Sequence, residues 1–132
     1  ADLRVAPASP GKAERLTPLL THPSATIYVN LEEANLLMRK EYSAASEAAQ
    51  AIVAGGAFRC LVTDGGKEAA VACKGTIHVQ TPPDVMVTRV TGAGDTFMAA
   101  HIAAECDGAD EKSALEAAIT AAARYVSGET AS

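Results

Sequence analysis

No stretch of this 132-residue sequence is apolar for the roughly 18 residues that a transmembrane helix needs. The first residues lack the basic-then-apolar pattern of a leader, so the expectation is a cytoplasmic protein with no membrane partner. Positive charge is in deficit. The net charge of −5 gives no reason to look for nucleic acid or an anionic surface as partner. Cysteine is scarce: Cys60, Cys73 and Cys106 are widely spaced, with no Cys-x-x-Cys pair. Such an odd, scattered set reads as buried free thiols in a reducing compartment. His22, His78 and His101 share no metal-ligand spacing, and no Ser/His/Asp or Cys/His set stands out for nucleophilic chemistry. Trp, internal repeats and low-complexity linkers are all missing.

What is present is an ordinary globular composition, 48% hydrophobic and 20% charged, in a length that suits one domain with one core. Strand-like and helix-like stretches alternate along it. Residues 3–6 read as a short strand and 12–21 as a short helix interrupted by Pro18. Residues 25–29 are β-branched and aromatic enough for a buried strand, and 31–39 carry apolar residues at helical spacing behind Asn30. Ser43 is the expected N-cap of a helix through Ala54, stopped by Gly55-Gly56. Residues 59–63 form the next strand, closed by Asp64-Gly65-Gly66. The stretches 68–73 and 76–80 flank Lys74-Gly75 as a hairpin, and 85–88 give a last short strand. Residues 95–106 have the composition of a good helix. Leu115, Ala118, Ile119, Ala122 and Val126 then repeat at helical steps behind an Asp110 cap. The alternation implies an α/β fold with a mostly parallel sheet covered by helices. Ligands of such sheets bind beyond the carboxyl ends of the strands, where Asn30, Asp64-Gly65 and Gly92–Asp95 all fall.

The stretch Val90-Thr91-Gly92-Ala93-Gly94-Asp95-Thr96-Phe97 carries the most chemistry. Glycine lets a chain bend tightly and lets a ligand approach the backbone. The first N–H groups of a helix have no internal partner, and the helix dipole there favours an anion. A glycine turn that opens a helix is therefore a candidate phosphate site. Asp95 can cap that helix or act as a base toward a hydroxyl beside the anion. The dinucleotide fingerprint is absent, because Thr96-Phe97 stand where its third Gly would be approached; a P-loop is absent, because Gly66-Lys67 is followed by Glu68.

Thr91 to Phe97 resembles the second signature of the ribokinase-like, or PfkB, carbohydrate kinase family. The resemblance implies a three-layer α/β/α, Rossmann-like fold. It also implies transfer of the γ-phosphoryl of Mg·ATP to a primary hydroxyl of a sugar or nucleoside. By the same resemblance Gly92, Ala93 and Gly94 supply N–H donors to the transferred group, and Asp95 takes the proton of the acceptor. Asn30-Leu31-Glu32-Glu33 resembles the family's Asn-x-x-Glu motif, which implies Asn30 and Glu33 as the Mg2+ shell; a plain helix cap is the other reading. Thr63-Asp64-Gly65 resembles the Thr-x-Gly turn beside the ATP phosphates, so Thr63, Gly65 and Thr91 are the implied nucleotide-binding residues. Here Lys67 or Glu68 replaces the Gly that usually follows, and an ordinary strand-ending turn is the alternative. Residues 7–13 are similar to a stretch of the pseudouridine kinases: Pro7, Ser9 and Lys12 match, while Ala6 replaces an Asp. Arg89 stands where members usually place an Asp, so a monovalent cation site is not carried over.

The resemblance runs over nearly the whole chain but matches only the C-terminal half of a family member. Residues 1–132 are then expected to be one ATP-binding, catalytic portion of a partial domain, inactive alone, without the half that holds most sugar-binding residues and the lid. The second possibility is a non-catalytic nucleotide-binding or interaction module derived from such a kinase. Either leaves a sheet edge unpaired, which favours self-association.

Overall fold

The chain is seen in a computed structural model that describes residues 3–7, 18, 22–85 and 92–128. Five strands lie side by side in chain order: β1 (Leu3–Val5), β2 (Ala25–Asn30), β3 (Arg59–Thr63), β4 (Ala69–Cys73) and β5 (Thr76–Gln80). β1, β2 and β3 are parallel, whereas β4 and β5 each run antiparallel to the strand before. The connections decide this. β2 reaches β3 through two helices, α1 (Leu31–Met38) and α2 (Ala45–Ala54), which is length enough for a parallel crossover. β3, β4 and β5 are joined by short glycine turns, which force reversal. The expected mostly parallel sheet is therefore present, with a hairpin added along one side.

Side-chain alternation sorts the sheet into two faces. Ile27, Val29, Cys60, Val62, Ala70 and Ala72 point to α1 and α2, where Ala34, Leu37, Ala48, Ala49 and Ile52 complete one core. Tyr28, Leu61, Ala69 and Val71 point the other way, against Phe97 of α3 (Ala93–Cys106) and Leu115, Ala118 and Ile119 of α4 (Glu111–Val126). The result is the three-layer α/β/α arrangement expected, with β2 buried on both faces as central parallel strands are.

Local details agree with the sequence in most places and depart in a few. Asp110 caps α4 by accepting from Ser113 N at 2.8 Å, and α2 closes with Gly56 N on Val53 O and Ala57 N on Ile52 O, a Schellman end. The N-cap of α2 is Ala44, not Ser43, and it makes no side-chain bond. Glu68 supplies the missing acceptor from across the fold, taking Ser46 N at 2.9 Å. Of the three free thiols only Cys60 is buried, which pushes its pKa upward; Cys73 is half-buried and Cys106 exposed, so the expectation of three buried cysteines is corrected. Apart from Pro18 and Val85, the helix expected over 12–21 and the strand expected over 85–88 lie outside the described residues. Among the described residues no helix is long and apolar enough to cross a membrane.

A buried polar cluster fixes how α3 lies on the sheet. Arg59, at the start of β3, donates from Nε to Thr26 Oγ1 at 3.1 Å and grips Glu105 with two bonds of 2.7 and 2.9 Å. It also bonds Glu111 at the start of α4. Arg4 of β1 reaches Tyr28 Oη at 2.7 Å and Glu105 at 2.8 Å. Tyr28 Oη lies 2.8 Å from His101 Nδ1. Arg4 can only donate, so the phenol accepts from it, while His101 Nε2 is buried without a partner among the described residues. The end of α3 is thus pinned where β2 and β3 begin, and the helix must run antiparallel to them.

Candidate active site

The antiparallel run of α3 decides where its first turn goes. From Glu105 back to Asp95 is ten residues, about 15 Å of helix. From Thr26 up to Asn30 is four residues, about 13 Å of strand. Asp95 therefore comes level with the carboxyl ends of β2 and β3, the rim at which Asn30 and Thr63 face each other as register partners. α1 starts at this rim and packs on one face of the sheet while α3 packs on the other, so two helix N-termini open toward the same end.

At the first of these, Asn30 ends β2 and caps α1. Its Oδ1 accepts from Glu33 N at 2.7 Å, and Glu33 Oε1 accepts from Asn30 N at 2.8 Å. This reciprocal capping box is the plain structural reading of the pair. It commits one oxygen of each side chain. Burial raises the Glu33 pKa, the bond from Asn30 N–H opposes it, and the charge of Glu32 adds to it. A partly desolvated carboxylate with a second oxygen left over is a fitting donor for a hard cation, since Mg2+ commonly meets protein through one or two carboxylates and keeps its waters. Among the described residues no group of three His, Cys, Asp or Glu side chains is clustered for a metal.

Thr63 ends β3, and the chain turns at Asp64 with Lys67 N on Asp64 O at 2.9 Å. Gly65 takes φ 57 in this turn and faces open space. At the second helix start, Gly92 is the N-cap at φ 92, a conformation that L side chains rarely adopt. Its carbonyl is held by Thr96, through N at 2.9 Å and Oγ1 at 3.0 Å. The N-cap is a glycine with no side chain to cap α3, and among the described residues Asp95 makes no hydrogen bond to the helix start. Gly94 and Asp95 are exposed. A Cβ placed on Gly92 would stand 2.5 Å from Tyr125 Oη and 3.1 Å from its Cζ, so the end of that phenol lies directly against the turn.

Asn30, Glu33, Thr63 and Gly65 lie at the carboxyl ends of β2 and β3, and Gly92, Ala93, Gly94 and Asp95 open the helix that runs back along these strands, while Thr91 and Arg89 lie outside the described residues. A hollow of about 670 Å³ opens beside the rim, lined by Leu31, Glu32, Asn35, Leu36, Arg39, Lys40, Glu41 and Asp64. It belongs to the outer side of α1 and does not contain the glycine turn. His101, the one histidine that is fully buried, packs below the rim: burial first, and the charges of Arg59 and Arg4, lower its pKa to about 4 against the pull of Glu105. Sequence reasoning passed over Tyr125 entirely, and nothing in its neighbourhood signals a contact with a turn 33 residues earlier.

The same fold occurs in phosphofructokinase-2 from Escherichia coli in complex with substrates and products, at 22% identity and TM-score 0.80, over 95% of this chain and 41% of that one. Adenosine kinase from Trypanosoma brucei brucei shares it at 19% identity and TM-score 0.80, over 96% of this chain and 43% of that one. A protein assigned as a ribokinase II from Escherichia coli, in complex with ATP and Mg2+, shares it at 24% identity and TM-score 0.71, over 89% and 37%. At these identities the likeness establishes the fold, and the chain spans about two fifths of the length of each. No curated protein matches the sequence. The model of one family, described as pfkB family carbohydrate kinase, matches residues 2–132.

Proposed function

Because this chain belongs to the pfkB family of carbohydrate kinases, we propose that it is the ATP-binding, catalytic, C-terminal portion of a sugar or nucleoside kinase. The observation that supports the reading is the glycine turn at the start of α3, a helix whose antiparallel run directs that turn toward the strand ends carrying Asn30 and Thr63. Phosphoryl transfer asks a protein mainly for positioning and for stabilisation of charge on the moving group. In the proposed reaction the acceptor's hydroxyl oxygen bonds to the γ-phosphorus of ATP, and the bond from that phosphorus to the β,γ-bridging oxygen breaks. Asp95 takes the hydroxyl proton. The backbone N–H groups of Gly92, Ala93 and Gly94 hold the transferred group, where unpaired amides and helix dipole favour negative charge. Thr63, Gly65 and Thr91 line the remaining phosphates. Asn30 and Glu33 would hold Mg2+ through its waters, and the ion would neutralise phosphate charge when bound.

The finer parts of the proposal rest on fewer residues. The match at Pro7, Ser9 and Lys12 favours a nucleoside acceptor of the pseudouridine type and a primary hydroxyl as the site of transfer. The absence of a spanning helix among the described residues and the free thiols are consistent with the cytoplasm. Among the described residues no strand pairs with the outer edge of β1, a three-residue parallel strand, and self-association is expected there. A monomer in sedimentation at tens of micromolar would contradict that. A nucleotide-binding module without turnover is the second reading, favoured by Arg89 where family members usually place an Asp. Calorimetry with Mg·ATP, with and without acceptors, separates the two.

The direct test is turnover of the intact natural protein with Mg·ATP and ribose, fructose 6-phosphate, adenosine or pseudouridine. Asp95→Asn is expected to lower kcat by about 10²–10⁴-fold, the usual contribution of a general base, with ATP affinity nearly unchanged. Undiminished turnover in that variant would remove Asp95 from the mechanism.

A further inference from the structure

The glycine turn has a backing that no motif describes. Gly92 and Gly94 are the least constrained residues a backbone can have, so a turn built on them is free to leave the conformation that aims its N–H groups. On one side Thr96 ties down the Gly92 carbonyl with two bonds. On another the phenol of Tyr125 closes against Gly92, near enough that a methyl group could not be placed between them. Tyr125 is well anchored. It is the last residue but one of α4, whose Leu115, Ala118, Ile119 and Ala123 are buried against α3 and the sheet.

We propose that Tyr125 is a positioning residue for the phosphoryl-binding turn, its phenol holding Gly92 in the left-handed conformation before nucleotide arrives. This rests on the kinase reading given above. The physical effect is preorganisation. A turn already ordered by a neighbouring side chain spends less of the nucleotide's binding energy on its own ordering. A side chain at Gly92 would meet an unfavourable φ and would also have to displace the end of the phenol.

The test uses the intact natural protein, titrated with Mg·ATP by calorimetry, while the 15N–1H signals of Gly92 and Gly94 are followed. Tyr125→Ala is expected to weaken Mg·ATP binding by about tenfold, the scale set by returning freedom to one or two glycines. Tyr125→Phe keeps the ring and is expected to stay within about threefold of the parent, with the same glycine signals at saturation. Melting curves separate this from a purely packing role, which would lower Tm in the Ala variant and leave the Kd of the folded protein alone. Should Tyr125→Ala fail to fold, Tyr125→Leu, which keeps the apolar contacts of α4 without the reach of the phenol, takes its place under the same criterion. Parent-like affinity in the Ala or Leu variant overturns the role of Tyr125 while leaving the kinase reading standing. A parent protein that binds no Mg·ATP and moves neither glycine signal overturns both.

Discussion

Where β2 and β3 begin, Arg59, Tyr28 and His101 are buried with Arg4, Glu105 and Glu111 half-buried around them, and the six are bonded mainly to one another; where the same strands end, Asp95, Gly94 and Gly65 are exposed and the bonds are short-range caps and turns. The two ends do different work with similar residue types. At the lower end, charges are neutralised inside the fold by partners of the fold itself, although His101 Nε2 and Glu111 Oε2 stay without a bond among the described residues. Glu105 shows this best. Burial alone would raise its pKa, yet two bonds from Arg59, the Arg59 charge and a bond from Arg4 bring it down to about 2. At the upper end the acceptors and donors are only partly used: the capping box leaves one oxygen of Glu33, and the start of α3 has no side-chain cap at all. One end holds the scaffold, and the other is left open for chemistry.

Changes at the lower end should therefore cost stability and spare ligand binding. The largest expected effect is from Arg59→Ala, which takes two bonds from Glu105, leaving it Arg4, and strips Glu111 of its arginine partner. Breaking a buried pair from one side typically costs about 3–5 kcal/mol, to be read from urea unfolding. Mg·ATP affinity of the folded protein should not change; a tenfold loss would show that the two ends are not separable.

Acid is the next lever. His101 has its pKa lowered in the fold, so the unfolded chain takes up its proton first, and stability falls as pH drops from about 6.5 to about 4. Glu105 then adds a second loss between about 4.5 and 2, because its folded pKa is also depressed. The groups facing His101 are Tyr28, Glu105, Arg59 and Arg4. His101→Gln, which can still hydrogen-bond Tyr28, is expected to remove the upper limb of the stability–pH curve and keep the lower one. An unaltered upper limb would assign it to another group.

Glu33→Gln should have the smallest effect on stability and the most specific effect on function. The amide oxygen still accepts from Asn30 N, so the unfolding free energy should shift by less than about 0.5 kcal/mol. The Mg2+ concentration needed for half-maximal turnover should rise about tenfold or more, as loss of a metal-orienting group commonly gives. A large loss of stability with unchanged Mg2+ dependence would make Glu33 a cap and nothing else.

The contrast also explains how much was legible in the sequence. Rim features need neighbours in sequence: a cap joins residues three apart, as Asn30 and Glu33, and an anion turn is built from consecutive residues, as Gly92 to Asp95. Such patterns can be seen in a string of letters, and the strands and helices that lead to them follow from periodicity. The lower cluster joins residues far apart in sequence, Arg4 with Tyr28 24 positions on and Tyr28 with His101 73 positions on, and only the folded sheet brings them into contact. Ser43 was misjudged for the same reason: the group that serves α2 is Glu68, 22 residues beyond Ser46. Tyr125 was overlooked because its partner is a glycine, which offers no side chain to suggest a pair.

The most direct measurement is a crystal structure of the intact natural protein with ADP, Mg2+ and a tetrafluoroaluminate mimic of the moving phosphoryl. The expected result puts the mimic on the backbone N–H groups of Gly92 to Gly94, Asp95 beside its open face, and the metal waters on Glu33. A nucleotide lodged instead in the hollow beside Arg39 and Lys40, with the glycine turn empty, would contradict it.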